Sequence, residues 1–282
     1  MTKDIYNVGF GIWNKLISIA VTLFTTSPTK ASEGEVYATA KSLYDAISDI
    51  SIPIATVFFL IAIFRDVVSA PPDQQTRKLF GSGLKYTIML GILANLWLIM
   101  GYVIQIADGI TAKFESAESS YTMSMDNHPD LLAAITEIED LSIWDGNNIF
   151  AKIMLFLAAI ITLIITVSSC ISILSSAFQR IIKPLVILPF AAITVALGAG
   201  SGESTRVMTQ YLKTFFGFCI SGAFMIVCVK MGVSLSDGLI SFDMASLSTY
   251  EKALYNSVQC AITPIVIAGL VKTADSIIGK FF

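Results

Sequence analysis

Five stretches of this chain, residues 50–64, 84–107, 149–178, 211–235 and 253–278, are apolar around the whole helical wheel rather than along one stripe. A helix without a polar face has no side to turn to water, and runs near 20 residues match the hydrocarbon core of a bilayer. Charge agrees with this reading: only 14% of the residues are Asp, Glu, Lys or Arg, against about 25% in a soluble chain. The sequence therefore predicts an all-α, polytopic membrane helix bundle. Amphipathic helices are expected over 1–49 and a transmembrane domain over 50–282.

A sixth apolar element, residues 181–205, is long enough to enter a bilayer but is broken by Pro184, Pro189, Gly198, Gly200 and Gly202. Broken backbone is tolerated at membrane depth only where protein or a water-filled cavity satisfies its polar groups, so this segment points to a pathway.

The distribution of bases orients the spans. Arg65, Arg77, Lys78 and Lys85 stand between the first two, which makes that connection cytoplasmic. The following stretch, 108–148, carries nine acids and Lys113 as its one base up to Asp145, and reads as an acidic extracytoplasmic loop. Arg180 and Lys183 bring the chain back inside. Residues 236–251 hold acids and no base, so they lie outside, and Lys272 and Lys280 end the chain in the cytoplasm. The N-terminus falls outside. Positive charge brackets 181–205 on both sides, so the segment should enter and leave by the cytoplasmic face as a re-entrant or interfacial element. The competing reading is a Pro-kinked crossing.

Residues 5–24 are apolar but striped. Asn7, Gly11, Lys15, Ser18 and Thr22 recur at helical spacing opposite Phe10, Trp13, Ile17, Val21 and Phe24, the pattern of an interfacial helix. An apolar run followed by TTSPTKAS also fits a cleaved leader. Ser32 and Glu35 form a capping box ahead of a second amphipathic helix through Val36, Ala40, Leu43, Ile47 and Ile50.

No catalytic constellation is present, so an enzyme is not expected. Cys170, Cys219, Cys228 and Cys260 lack the paired spacing of a metal site or redox dithiol and read as small buried side chains. GAGSGEST lacks the Lys of a phosphate-binding loop and reads as a flexible hinge. His128-Pro129-Asp130 matches a cochaperone tripeptide, but its better use is to start a short amphipathic helix over 131–141. Asn95 and Gln105 are intramembrane amides suited to interhelical hydrogen bonds or a pore lining. Lys152 and Lys230 sit where they can snorkel, and no acid is expected in mid-span, which weakens a proton- or sodium-coupled transporter. Gly217 with Ser221, and Gly91 with Asn95, have the spacing of close helix contacts.

The stretch SAFQRIIKPLVILPFAAITVALGAG, followed by STRVMTQYLKTFFGFCISGAFMIV, resembles the central region of the VirB6/TrbL family of type IV secretion and conjugation machines, in the compact form of Gram-positive conjugative elements. The local resemblance covers 149–235; beyond it only span count and topology agree. It implies a homo-oligomeric channel or scaffold in the cytoplasmic membrane. A VirB4-type ATPase and VirB3-like and VirB8-like proteins would be its neighbours, and single-stranded DNA with relaxase, or protein effectors, its cargo. The chain lacks the large extra domain and Cys-rich outer region of longer members, so contact with an outer-membrane complex is not implied.

DNA is held by Lys and Arg, so the acidic stretch should dock proteins. Any DNA contact falls to an inner rim of Arg77, Lys78, Lys85, Arg180, Lys183, Arg206 and Lys213, residues that plain positive-inside orientation also explains. No cofactor is expected beyond bound membrane lipid. A small-solute channel or transporter and a purely structural scaffold are the competing functions. The former should show a second broken segment, for which 261–269, with Pro264, is a faint candidate.

Overall fold

Apolar length decides most of the architecture. The computed structural model describes residues 1–116, 122–141, 146–239 and 248–281, together with the side chains of all but a few of them. All regular structure among them is helical. The major helices are α1 (Thr2–Thr25), α2 (Glu35–Asp66), α3 (Pro72–Ala94), α4 (Leu96–Glu115), α5 (Pro129–Asp140), α6 (Gly146–Ile187), α7 (Ala191–Ala196), α8 (Glu203–Leu239) and α9 (Thr249–Phe281). Five described helical runs are long and apolar enough to cross a membrane, six if α3 and α4 count as one bent span. This is compatible with a multi-pass membrane protein.

The chain packs as two units. One comprises Met1–Phe24, Phe114–Phe178 and Ala223–Ser276; the other comprises Thr25–Lys113, Gln179–Gly222 and Ile277–Phe282.

In the first unit, α1 buries Tyr6, Phe10, Trp13, Ile17, Val21 and Phe24 among apolar side chains of α5, α6, α8 and α9. The expected polar stripe, Asn7, Gly11, Lys15, Ser18 and Thr22, is exposed. Amphipathicity was thus legible, but the apolar face that an interfacial helix would turn to lipid packs on the protein's own chain. Tyr6 Oη lies 2.5 Å from Ser257 Oγ, and the Asn14 amide bonds both the Met123 carbonyl and its N–H at 2.8 Å. Within 108–148, the residues Asp108 to Glu115 continue α4. Pro129 opens α5, which buries Leu131, Ile135 and Ile138 and leaves Glu137 and Asp140 exposed. His128 stacks on Phe10 with ring centroids 5.9 Å apart. The two lysines expected to snorkel instead cap helix ends: Lys152 Nζ donates to the carbonyls of Glu139 and Leu141, and Lys230 Nζ to those of Phe114 and Glu115, all at 2.8–2.9 Å. Carbonyls in the last turn of a helix have no intrahelical donor, and a cation there also suits the helix dipole.

In the second unit, α2 is a single 32-residue helix, so the second amphipathic segment and the first span are continuous. It begins after Gly34, whose φ of 87° is left-handed and open to glycine, without a side-chain cap. The Ser32 side chain of the expected capping box lies outside the described residues. The span 84–107 is not one helix: α3 and α4 meet at Asn95 with a bend of 70°. Asn95 has φ −113° and ψ 14°, and its amide donates to the Gly91 carbonyl at 3.1 Å. A short amide that bonds its own preceding turn competes with the helix ladder.

Candidate functional site

Two features of the second unit place polar groups among apolar helices: an arginine–aspartate pair and the backbone of 181–205. Arg180 was expected where the third span ends at the cytoplasmic rim. The helix runs on, 42 residues from Gly146 to Ile187, roughly 63 Å at 1.5 Å per residue and about twice a hydrocarbon core. Arg180 therefore lies inside α6 with its side chain fully buried. Its Nη2 is 3.5 Å from Asp108 Oδ1 of α4, and its Nη1 donates to the Thr26 carbonyl just beyond α1.

This geometry corrects the charge census. Asp108 and Arg180 were placed on opposite faces of a membrane, and two groups 3.5 Å apart cannot be. The census treats every charge as a loop charge. Here one acid and one base have left the loops together, because pairing offsets much of what burial costs each alone. An acidic residue consequently stands inside an apolar helix, where none was expected.

The broken segment begins inside α6. Pro184 is buried within the helix, where its missing N–H removes the partner of the Arg180 carbonyl. The chain nevertheless holds helix for one more turn. It then tightens into a 3-10 turn at Leu188–Phe190, forms α7, and tightens again at Leu197–Ala199. From Asn148 to Ala199 the run behaves as one apolar element of 52 residues, and the sharp break lies at Asn95 instead. The segment 188–199 packs along α2 and α3.

Its carbonyls are met by side chains of the same unit. Tyr211 Oη donates to Ile187 O at 2.8 Å, and Thr194 Oγ1 to Phe190 O at 2.9 Å. Gly200 O accepts from Lys85 Nζ and, at 3.1 Å, from Thr205 Oγ1; Lys85 also reaches Thr205 Oγ1 at 3.0 Å. Protein thus satisfies irregular backbone, as apolar surroundings demand.

Two glycines of the stretch expected to be a flexible hinge pack tightly against side chains. A Cβ on Gly198 would stand 2.2 Å from Met208 Sδ and 2.8 Å from Met89 Cε, and one on Gly200 would stand 2.3 Å from Ser204 Oγ. Gly202, at φ 64°, makes the turn into α8 beside the Arg65 guanidinium.

The expected basic rim divides by environment. Arg77 and Lys78 on α3, and Arg206 and Lys213 on α8, are exposed. Lys85 is half-buried and holds Gly200, Lys183 lies 5.9 Å above the Phe218 ring, and Arg180 is buried against Asp108. Of the two intramembrane amides, Asn95 sits at the bend and Gln105 lies on the exposed side of α4. Neither the Arg180–Asp108 pair nor the Lys85 bond was foreseen. The signal was a base without a compensating loop and a lysine within an apolar run, each read as topology alone.

An apolar groove of about 340 Å³ runs between α2 and the end of α6, lined by Val36, Ala40, Leu43, Leu185, Val186 and Pro189 among others. The thiols of Cys170, Cys219 and Cys260 are buried, as the sequence suggested, whereas Cys228 is half-buried. No family model, no curated protein and no solved structure matches this chain.

Proposed function

We propose that this chain is a homo-oligomeric channel or scaffold subunit of a type IV secretion machine in a cytoplasmic membrane, with its N-terminus extracytoplasmic and its C-terminus cytoplasmic. The reading is supported by the resemblance of 149–235 to the VirB6/TrbL central region. The observation that carries it furthest is the apolar broken segment packed along α2 and α3 of its own unit, with Tyr211, Thr205 and Lys85 holding its carbonyls. Such a segment can keep an irregular path through apolar surroundings without water. The partners on this reading are a VirB4-type ATPase and VirB3-like and VirB8-like proteins. The cargo is single-stranded DNA with relaxase, or protein effectors.

Direct contact with DNA or an acidic partner falls to the four exposed bases, Arg77, Lys78, Arg206 and Lys213. Membrane lipid is the expected occupant of the groove beside Pro189. Affinity purification of the tagged chain from its native membrane tests the partner set. Recovery of a VirB4-type ATPase with the chain is expected; an intact chain that brings down none of these proteins contradicts the proposal.

A further inference from the structure

We propose that the exposed polar face of α1 lines a water-filled path across the membrane, with Lys15 giving that path a preference for anions. The inference rests on the channel part of the proposed function and names the surface that faces the cargo. Helix α1, 24 residues from Thr2 to Thr25, is by itself long and apolar enough to cross a membrane. Packing sets its course. Thr2 and Leu155 line one cavity, a Cβ on Gly9 would stand 3.4 Å from Leu163 Cδ1, and the Thr26 carbonyl accepts from Arg180. From Thr2 to Gly9 to Thr26 is 7 and then 17 residues, and from Leu155 to Leu163 to Arg180 is 8 and then 17. Helices that keep step in this way run side by side in the same direction.

Depth follows from α6. Its residues 149–178 are apolar around the whole wheel, and such a helix does not lie along a membrane surface with one side in water. A helix in step with it crosses where it crosses. Gly9 meets Leu163 at the middle of that run, so Asn7 lies about 3 Å and Lys15 about 9 Å from mid-depth at 1.5 Å per residue, inside a half-core of about 15 Å. Asn7, Gly11, Lys15, Ser18 and Thr22 are all exposed there. On α6 the exposed side chains from Ile153 to Ile164 are Ile153, Leu157, Ile161 and Ile164, a face made for hydrocarbon. The face of α1 is not: an amide and an ammonium find no partners in lipid tails, and Asn7 is too short to snorkel out of them.

Water is the occupant that fits. A second α1 would bring another Lys15 and no acid beyond Asp4 in the first turn, so like charges would meet. Among the described residues Lys15 has no ion-pair partner of its own. A hydrated passage satisfies the whole face at once, and a fixed positive charge between low-dielectric walls draws negative solutes to it. With α1 counted, five helical runs cross, the two chain ends stay on opposite faces, and the bent pair of α3 and α4 enters and leaves by one of them. The connection 65–85, expected in the cytoplasm, then lies on the outer face.

The test is the reaction of single cysteines in native membranes with a membrane-impermeant anionic thiol reagent, methanethiosulfonate ethylsulfonate, which needs water to reach a thiolate. The full-length chain with Cys228→Ser is the background, because the other three native thiols are buried. Asn7→Cys, Gly11→Cys, where a Cβ has open space, and Ser18→Cys should react. Ile161→Cys, exposed on α6 at the depth of Asn7, should not. Lys15 and Ser18 stand about 5–6 Å apart on one helix face, and a unit charge at that distance in water alters each rate about three-fold. Lys15→Gln should therefore lower the ratio of anionic to cationic reagent rates at Ser18→Cys about ten-fold. An inert stripe, equal reaction at position 161, or a ratio unmoved by Lys15→Gln would each overturn the inference. Cargo transfer in a deletion strain separates the two levels. An inert stripe in a chain that transfer requires overturns the water path alone, whereas a reactive stripe in a chain that transfer does not require keeps the path and overturns the secretion reading.

Discussion

Asp108→Asn keeps the size of the side chain and removes its charge, leaving the Arg180 guanidinium buried without its counter-ion. At 3.5 Å and an effective dielectric constant of about 20, the lost attraction is about 5 kcal/mol. Breaking a buried pair from one side costs about 3–5 kcal/mol in practice. Asp108 is 21% exposed and the Thr26 carbonyl still holds Arg180, so the lower end applies, about 3 kcal/mol. At roughly 2–4 °C per kcal/mol, the thermal midpoint in lipid nanodiscs should fall by about 6–12 °C. Arg180→Met should fall further, because it also strips the donor from Thr26. The double variant Asp108→Leu with Arg180→Met buries no charge and should be less destabilised than Arg180→Met alone, since apolar replacement of a whole pair is often neutral. If the double variant instead loses the sum of its single-variant losses, the two groups are not coupled and the pairing argument fails.

Lys85→Met should lower stability by about 1–3 kcal/mol by stripping a charged donor from Gly200 O and Thr205, while Lys78→Met should change the midpoint little; equal effects would contradict the division of the basic residues. Asn95→Ala removes the amide that bonds back to Gly91 and should reduce the 70° bend, read as a longer spin-label distance between the far ends of α3 and α4; an unchanged distance would show that packing alone sets the bend. Glu139 gives a pH dependence: partial burial pushes its carboxyl up, but bonds from the Thr2 N–H and the Met1 amine prevail and hold it below its ordinary 4.5. A depressed carboxyl contributes stability above its unfolded value and loses it as pH falls through the folded one. Glu139→Gln should therefore flatten the stability profile below pH 4.5 by a few tenths of a kcal/mol, and an unchanged profile would assign the acid sensitivity elsewhere.

Helix content, the two faces of α1 and the start of α5 at Pro129 were legible because each is a local pattern of period 3.6 or a proline at a first turn. The tertiary choices were less so. Arg180 and Asp108 are far apart in sequence, and a count of loop charges assigns each by its flanks, so their meeting left no local trace. The prolines drew attention to 181–205, yet Pro184 costs one helix bond that packing against α2 and α3 can absorb, while the sharper break falls at Asn95, where no proline stands. Glycines 198 and 200 looked flexible because glycine permits freedom; in place they are filled against Met208, Met89 and Ser204. The lysines of the apolar runs read as interface markers, but Lys152, Lys230 and Lys85 each end on backbone carbonyls that helix ends and turns leave open.

The secretion reading is tested most directly by a transfer assay in cells that carry the native system. Deleting this chain should reduce transfer of the relaxase-bound strand or protein cargo to background, and wild-type chain supplied in trans should restore it. Transfer that continues undiminished in the deletion strain would contradict the account.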